Sequence, residues 1–494
     1  MKTIMDKTSK SIQKKSIQKN LRLKNGVFFP KKSSYFFILF SFLIIFLSYI
    51  LPTPQGLSHD GQIMIGILLM AAILWITEPV PLAVTSLFIM ILQPLLGVIP
   101  AGDVFSSFGN QAVFFLIGAF ILAAAIEKHG LHRRIALRFL RFFEKTPRFF
   151  TFGIMTSCAF LSFVMPEHGV AALFLPIIAS ILIAIKVLPR QSNFGKISML
   201  CIAYGCSIGS LGTLVGGARN PLTIGILADL SPPINITFFD WCLYSMPVVF
   251  ISLPIVWLVL QFVFPIELKD ISNAKKEINR QVILEGKIKI HELIVIIILI
   301  LTICLWILFS SYQYFGLAAI AILSGVLLFF TGCISWNDVE QRVPWGIILL
   351  YGGAITLGIG VQSTGAGAWL ADIIFNLVSD NLYVVILMMI LFTILLTNVM
   401  SNVGAVAILL PIGIAVADKI GFSPLLSSMI IALCGGLAFI LVIGTPGNAI
   451  TYSSGYFSTR DLFKAGIIAN IICIGIIFCV AIFYWIGILH LEVI

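Results

Sequence analysis

From Tyr35 to the C-terminus, long apolar windows alternate with short polar breaks. A window of about 17 to 25 apolar residues is long enough to cross a hydrocarbon core of roughly 30 Å as a helix. Such windows occur at 35–51, 61–77, 80–97, 111–127, 237–264, 293–309, 315–331, 345–361 and 465–489. Two longer ones, 196–229 and 425–459, are interrupted by Gly, Pro and Asn, and two others, 149–185 and 384–418, are each broken by a short polar knot. The pattern predicts an all-α polytopic membrane protein with about 11 transmembrane helices, in addition to the two knotted stretches.

The knots carry a repeat. Met165-Pro166-Glu167-His168-Gly169-Val170 through Pro176-Ile177 aligns with Met400-Ser401-Asn402-Val403-Gly404-Ala405 through Pro411-Ile412, at an offset of 411 − 176 = 235. Asp103 and Asp338, Gly118 and Gly353, and Gly130 and Gly365 keep that offset, so a duplication is read from Asp103 onward. The chain divides into a basic tail (1–34), a first half (35–264), a linker (265–292) and a second half (293–494). The 149–185 stretch has basic clusters at both ends. It is either two full spans joined by an outside turn at Pro166–Gly169 or a re-entrant hairpin with its tip at mid-depth.

Composition agrees with a lipid environment. With 59% hydrophobic and 11% charged residues, a 494-residue soluble globule could not hide its apolar surface. The net charge of +10 does not point to nucleic acid, because the basic residues gather in the tail and in the segments 128–148, 186–196 and 269–289. Short basic segments stay on the cytoplasmic side. The reading is therefore a multi-pass protein of a cell (plasma or inner) membrane, with its N-terminus in the cytoplasm and the two repeats inverted. Inverted repeats sharing a midplane site are an architecture of secondary transporters. The cluster Arg133, Arg134, Arg138, Arg141, Lys145 and Arg148 reads as a lipid-facing amphipathic helix at the cytoplasmic surface.

Each knot is followed by a broken span, Gly212–Pro221 in the first half and Gly444–Ala449 in the second. Breaks at membrane depth free backbone groups, with amides at half-helix starts that suit anions and carbonyls that suit cations. An enzyme is disfavoured. His291-Glu292-Leu293-Ile294-Val295 starts like a zinc-protease helix but has Val295 where the second His is needed, and Glu167-His168 has no further ligand at metal spacing. All nine cysteines sit in or beside apolar segments as packing residues. An anion channel is the other rival, and the paired knots favour alternating access over it.

The motifs Trp75-Ile76-Thr77-Glu78-Pro79-Val80-Pro81, Ile117–Ala123 through Gly130–Ala136, Ser401-Asn402 ahead of Leu410-Pro411, and Gly444-Thr445-Pro446-Gly447-Asn448-Ala449 make the chain resemble the divalent anion:sodium symporter family. That family carries dicarboxylates, tricarboxylates and sulfate. The resemblance covers about residue 60 to the end. It implies re-entrant hairpins at 149–185 and 384–418, a homodimer, and elevator-type motion of a hairpin-bearing domain. No cofactor is implied beyond a sodium ion, and the partners implied are a small anion and the lipid bilayer.

In the family each hairpin tip carries Ser-Asn-Thr and each break a Gly-Thr-Pro-Pro-Asn-like run. Here the second tip is Ser401-Asn402-Val403 and the first is Pro166-Glu167-His168, while the first break reads Gly217-Ala218-Arg219-Asn220. The resemblance assigns substrate contacts to Ser401, Asn402, Val403, Arg219, Asn220, Thr445, Pro446 and Asn448. Ion coupling falls to Glu167, His168, Thr397, Asn402 and Gly444, with sodium at Thr397, Asn402 and Gly444. Glu167 and Arg219 are expected to pair, because an unpaired charge near mid-membrane is expensive, with Arg219 standing where a first sodium would sit. His168 is either a proton carrier beside Glu167 or a hydrogen-bonded polar residue at the tip. The function expected is cation-coupled transport of a C4-dicarboxylate-like anion. The alternative is a proton-coupled or sodium-independent exchanger of dicarboxylate, sulfate, phosphate or an amino-acid-like substrate.

Overall fold

Apart from one short pairing of strands β1 (Leu23–Lys24) and β2 (Val27–Phe28), every regular element among the described residues is helical. The structure is a computed structural model that describes residues 23–24, 27–28, 32–312, 315–377 and 381–491, so the basic tail lies almost wholly outside it. Helix α1 (Lys32–Ile50) comes first. The first half follows as α2 (His59–Thr77), α3 (Leu82–Leu95), α4 (Ala101–Ser106), α5 (Gln111–Lys128), α6 (Leu131–Arg141), α7 (Pro147–Leu161), α8 (Glu167–Ala184), α9 (Asn193–Gly209), α10 (Arg219–Ala228) and α11 (Phe238–Val263). After the linker helix α12 (Ser272–Glu285) the second half runs α13 (Ile290–Phe309), α14 (Gly316–Phe330), α15 (Trp336–Arg342), α16 (Trp345–Ser363), α17 (Ala366–Leu377), α18 (Leu382–Val399), α19 (Asn402–Ile420), α20 (Pro424–Cys434), α21 (Pro446–Tyr452) and α22 (Thr459–Cys479).

The halves match helix for helix. Adding 235 to the bounds of α3, α5, α6 and α8 reproduces those of α14, α16, α17 and α19 to within a residue. The repeat therefore starts upstream of Asp103, where the shared offset of single residues was read, and includes α3. By the breaks, at Asn220 and Asn448, the register has fallen to 228, because both the connection 185–192 and helix α9 are longer than their counterparts 421–423 and α20.

Within this frame α5 packs on α14 and α16 packs on α3, one contact made twice with the halves exchanged. Glycine makes both possible. A Cβ on Gly118 would fall 2.3 Å from the Ala321 backbone, and one on its counterpart Gly353 would fall 2.6 Å from that of Ser86, the counterpart of Ala321. Without a hydrophobic drive between helices in lipid, close backbone approach through small residues supplies the packing.

Among the described residues, nine helices are long and apolar enough to span a membrane, but three of these, α8, α18 and α19, are hairpin arms. The remaining six, the shorter apolar α1, α3 and α14, and the two broken helices α9–α10 and α20–α21 make up the expected set of 11 spans. The tips of the hairpins α7–α8 and α18–α19 meet one another: Asn402 Nδ2 lies 3.4 Å from Glu167 Oε1. These residues are repeat counterparts, and a residue touches its own counterpart only where the axis relating the halves passes. The 149–185 stretch is thus a re-entrant hairpin and not two full spans.

Ion pairs knit one face together. Lys128 reaches Asp338 (2.8 Å), Arg342 reaches Glu127 (2.9 Å), Arg133 reaches Glu285 (3.1 Å) and Lys196 reaches Asp461 (3.1 Å). The Lys128 ammonium and the Ser335 hydroxyl hold the Asp338 carboxyl well below the usual carboxylate range. This basic face also carries α12, which lies between α6 and α8, with Gln281 Nε2 donating to Ser180 Oγ (2.6 Å). Arg134 departs from the expected lipid-facing cluster. It is only 5% exposed, and its guanidinium donates to the carbonyls of Glu285 (2.9 Å) and Gly286 (2.7 Å) at the end of α12. It also pairs with Glu292: Nη2 donates to Oε1 (3.3 Å) and Nε lies 2.9 Å from Oε2. A cation at a helix C-terminus satisfies orphan carbonyls and opposes the helix dipole.

Arg134→Ala leaves Glu292 buried without its partner, a change that costs about 3–5 kcal/mol when a buried pair is broken. The expected outcome is a lowered thermal midpoint of the detergent-solubilised protein, partly recovered by adding Glu292→Gln. An unchanged midpoint would refute the assignment.

Candidate functional site

Four half-helices begin at one place. Glu167, Arg219, Asn402 and Pro446 are the first residues of α8, α10, α19 and α21, and all four line a cavity of about 150 Å³. His168, Ser401 and Val403 share its wall, and Leu82, Phe120, Ile347 and Leu350 close it from the α3, α5 and α16 side. Larger cavities elsewhere, such as one of about 340 Å³ lined by Asp372, Asp418 and Lys419, contain none of these tip residues.

Each break is held by the same device. Asn220 Nδ2 donates to the carbonyls of Ser210 (2.8 Å) and Thr213 (2.7 Å), 10 and 7 residues back along the chain. Asn448 Nδ2 donates to Ala438 (2.8 Å) and Leu441 (3.0 Å), again 10 and 7 residues back. The side-chain amides supply donors that the interrupted helices α9 and α20 lose. Thr445 Oγ1 accepts from the Asn448 amide (3.0 Å), capping α21, and Ser401 Oγ accepts from the Gly404 amide (3.2 Å), capping α19. Asn220, Thr445 and Asn448 thus form a supporting layer behind the cavity wall.

The first half holds two charges. The Glu167 amide donates to Gly216 O (3.2 Å), which ties the tip to the break. Arg219 Nη2 donates to Ser210 Oγ (2.9 Å), and Ser210 Oγ lies 2.8 Å from Glu167 Oε2 and 2.7 Å from Ser207 O, its single proton serving one of them at a time. Glu167 and Arg219 make no direct contact within 4.0 Å, so the expected pairing is a relay through one hydroxyl. Ser210 was not singled out in the sequence; its counterpart across the repeat is Ala438, and that difference was the available signal. Arg219 is almost fully buried, and its Nε donates across the halves to Ala432 O (3.1 Å). Gly217 and Gly436 make room for it: Cβ atoms there would fall 2.6 Å from Nη1 and 2.2 Å from Nη2.

The second half presents oxygens instead. Thr397 Oγ1 lies 2.9 Å from Asn402 Oδ1 and 2.7 Å from Gly435 O, and its single proton serves one of them at a time. Asn402 Oδ1 also faces Gly435 O (3.3 Å) and Gly444 O (3.2 Å). Rotating the amide would point its nitrogen at these oxygens but would turn its oxygen toward the Glu167 carboxylate. Thr397, Gly435 and Gly444 thus bring their oxygens around Asn402 Oδ1 beneath the cavity wall. His168 lines the cavity and makes no hydrogen bond to the described residues, which leaves the second of its expected roles without a partner.

Paired hairpins, paired broken helices and a shared central cavity define a membrane transporter built from inverted repeats. The chain belongs to the sodium:sulfate symporter family, whose transmembrane-region model matches residues 31–491. It is 29% identical over 477 residues to the sodium-dependent dicarboxylate transporter SdcS of Staphylococcus saprophyticus, covering 91% of each chain. It is 30% identical to SdcS of Staphylococcus aureus strain RF122 (90% and 89% covered) and 28% identical to an uncharacterised Haemophilus influenzae transporter (94% and 97%). The fold is shared with Neisseria gonorrhoeae MtrF (TM-score 0.56, 14% identity, 94% and 96% covered) and the Alcanivorax borkumensis YdaH transporter (0.54, 13%, 92% and 98%). The protein is a transporter and not an enzyme.

If Ser210 couples the two charges, Arg219→Met alone destabilises more than Arg219→Met combined with Glu167→Gln. A coupling of about 0.5–3 kcal/mol is expected for residues in one network. Additive shifts of the thermal midpoint in this double-mutant cycle would sink the relay.

Proposed function

We propose that this transporter carries small divalent organic anions of the C4-dicarboxylate type, coupled to sodium, across a cell membrane in which its basic face is cytoplasmic. The observation that carries the reading is the convergence of four helix N-termini and the Arg219 guanidinium on one cavity. Helix N-termini and a buried guanidinium both favour carboxylate oxygens over neutral groups. The names of the staphylococcal relatives, both sodium-dependent dicarboxylate transporters, support the substrate class. Ser401, Asn402, Val403, Arg219 and Pro446 face the substrate in this reading, and Asn220, Thr445 and Asn448 hold the breaks that present them. A homodimer with elevator motion of the hairpins, as in the family, completes it.

The oxygens of Thr397, Asn402, Gly435 and Gly444 fit a sodium ion, because Asn402 Oδ1 faces only acceptors while its nitrogen is turned to Glu167. When bound, sodium would supply positive charge beside the second tip. In the first half the chain brings its own cation: Arg219, wedged between Gly217 and Gly436, stands in for a first sodium ion in this reading, so fewer sodium ions are needed per cycle. A proton-coupled or exchange mode is the second reading, favoured by Glu167 and His168 standing together on the cavity wall.

In liposomes, uptake of labelled succinate should rise with an inward sodium gradient and exceed uptake of sulfate and citrate. Thr397→Val, which removes one oxygen from the cage, should raise the half-saturating sodium concentration roughly tenfold. Uptake indifferent to sodium but driven by protons or by trapped substrate would replace this reading with the second.

A further inference from the structure

The two hairpins are packed differently. Around the arms of the first, phenylalanines fill the space: Phe150 and Phe174 are fully buried, and the rings of Phe139 and Phe160 stack with centres 5.4 Å apart. Phe143 lies against Gly153, where a Cβ would fall 2.3 Å from that of Phe143. The offset of 235 fits both arms and the helix that precedes them, so each position has a counterpart in the second hairpin. There Val385 replaces Phe150, Leu409 replaces Phe174, Gly413 replaces the buried Ile178, and Ile374 replaces Phe139. These four smaller residues line a groove of about 380 Å³ between α17, α18, α19 and α20.

The groove is apolar and continuous with the lipid-facing surface. Its residues Met388 and Phe392 are 47% and 55% exposed, and on α18 they adjoin the exposed Leu391 and Leu395. Of the lining side chains, Thr393 alone carries a hydroxyl, amide or charge, and its hydroxyl donates to Met389 O in the same helix (2.7 Å). The walls therefore have no group left to recognise a carboxylate, a phosphate or a peptide backbone. What they can surround is a hydrocarbon chain. Close packing joins helices in lipid, and a groove open to the bilayer core completes its packing with the hydrocarbon that faces it.

We propose that this groove seats one acyl chain of a bilayer lipid, which packs the second hairpin as the phenylalanines pack the first. The seat takes the tail and leaves the headgroup unread, so it selects for chain and not for lipid class. It depends on the membrane setting of the chain and not on the substrate or the coupling ion.

The full chain is placed in liposomes of phosphatidylethanolamine and phosphatidylglycerol containing a small fraction of phosphatidylglycerol with a diazirine at mid-chain. After irradiation, adducts are mapped by mass spectrometry. Met389, Thr393 and Ile412 should be labelled at least as often as the exposed Leu395, although Thr393 is only 1% exposed. Their counterparts in the first hairpin, Ile154, Cys158 and Ile177, should remain unlabelled. Val385→Phe combined with Leu409→Phe, which restores the residues of the first hairpin, should cut the groove adducts roughly tenfold, as when a few methylenes lose their burial. Adducts at Leu395 should not change. Val385→Phe alone should shift the yield in the same direction by less, and guards against misfolding of the pair. Groove adducts no more frequent than those at the first-hairpin counterparts overturn the seat, as they would if a second copy of the chain covered the groove. Groove adducts undiminished in both filled variants also overturn it. No readout involves transport, so a failure here is distinct from a failure of dicarboxylate uptake.

Discussion

A helix interrupted inside hydrocarbon has carbonyls and amides that lipid cannot satisfy, and the rest of this molecule is arranged around that constraint. Asn220 and Asn448 bridge the two breaks with matching pairs of hydrogen bonds. The hairpins supply further cover, with the Glu167 amide donating to Gly216 O and Thr397 Oγ1 reaching Gly435 O. Because each tip reaches only to the level of its break, the tips meet, and a small cavity with a few polar groups on its wall forms between them. The site follows from solving the backbone problem twice with inverted copies of one device.

The copies have diverged most where they meet. On one side stand Glu167, Ser210 and Arg219; on the other, Asn402, Ala438 and Gly447 occupy the corresponding positions. The first set is internally compensated by its relay and the second leaves oxygens converging on a common space. A guanidinium is permanently charged and tethered, so it holds charge in place without the loss and rebinding that a diffusible ion undergoes. The asymmetry therefore bears on coupling stoichiometry more than on the fold.

A second asymmetry lies at the basic face. Helix α17 packs directly along α19, whereas α12 sits between their counterparts α6 and α8. The linker thereby does more than join the halves: through Gln281 it touches a hairpin arm, and through Arg134 and Glu292 its end is tied to α6 and α13. This makes the two sides of a pseudosymmetric molecule unlike.

Hydrophobic length, Gly and Pro placement and the 235-residue offset are local or periodic properties, so the sequence by itself determined the spans, the two broken helices, the duplication and the tips that form the site. Glu167, Arg219, Ser401 and Asn402 were legible because polar residues in apolar surroundings are costly and stand out, and Pro446 because it breaks a helix inside an apolar run. What the tertiary structure decided is how those groups are connected. Ser210 is unremarkable in a run of small residues until it lies between two charges, Gly435 and Gly436 matter only for the carbonyl and the space they provide, and Arg134 reads as surface charge until a helix end folds over it. Whether 149–185 crosses the membrane or turns back was undecidable from length, since a hairpin arm and a span are equally apolar. It was settled by a single contact between two residues 235 positions apart, which no local pattern encodes.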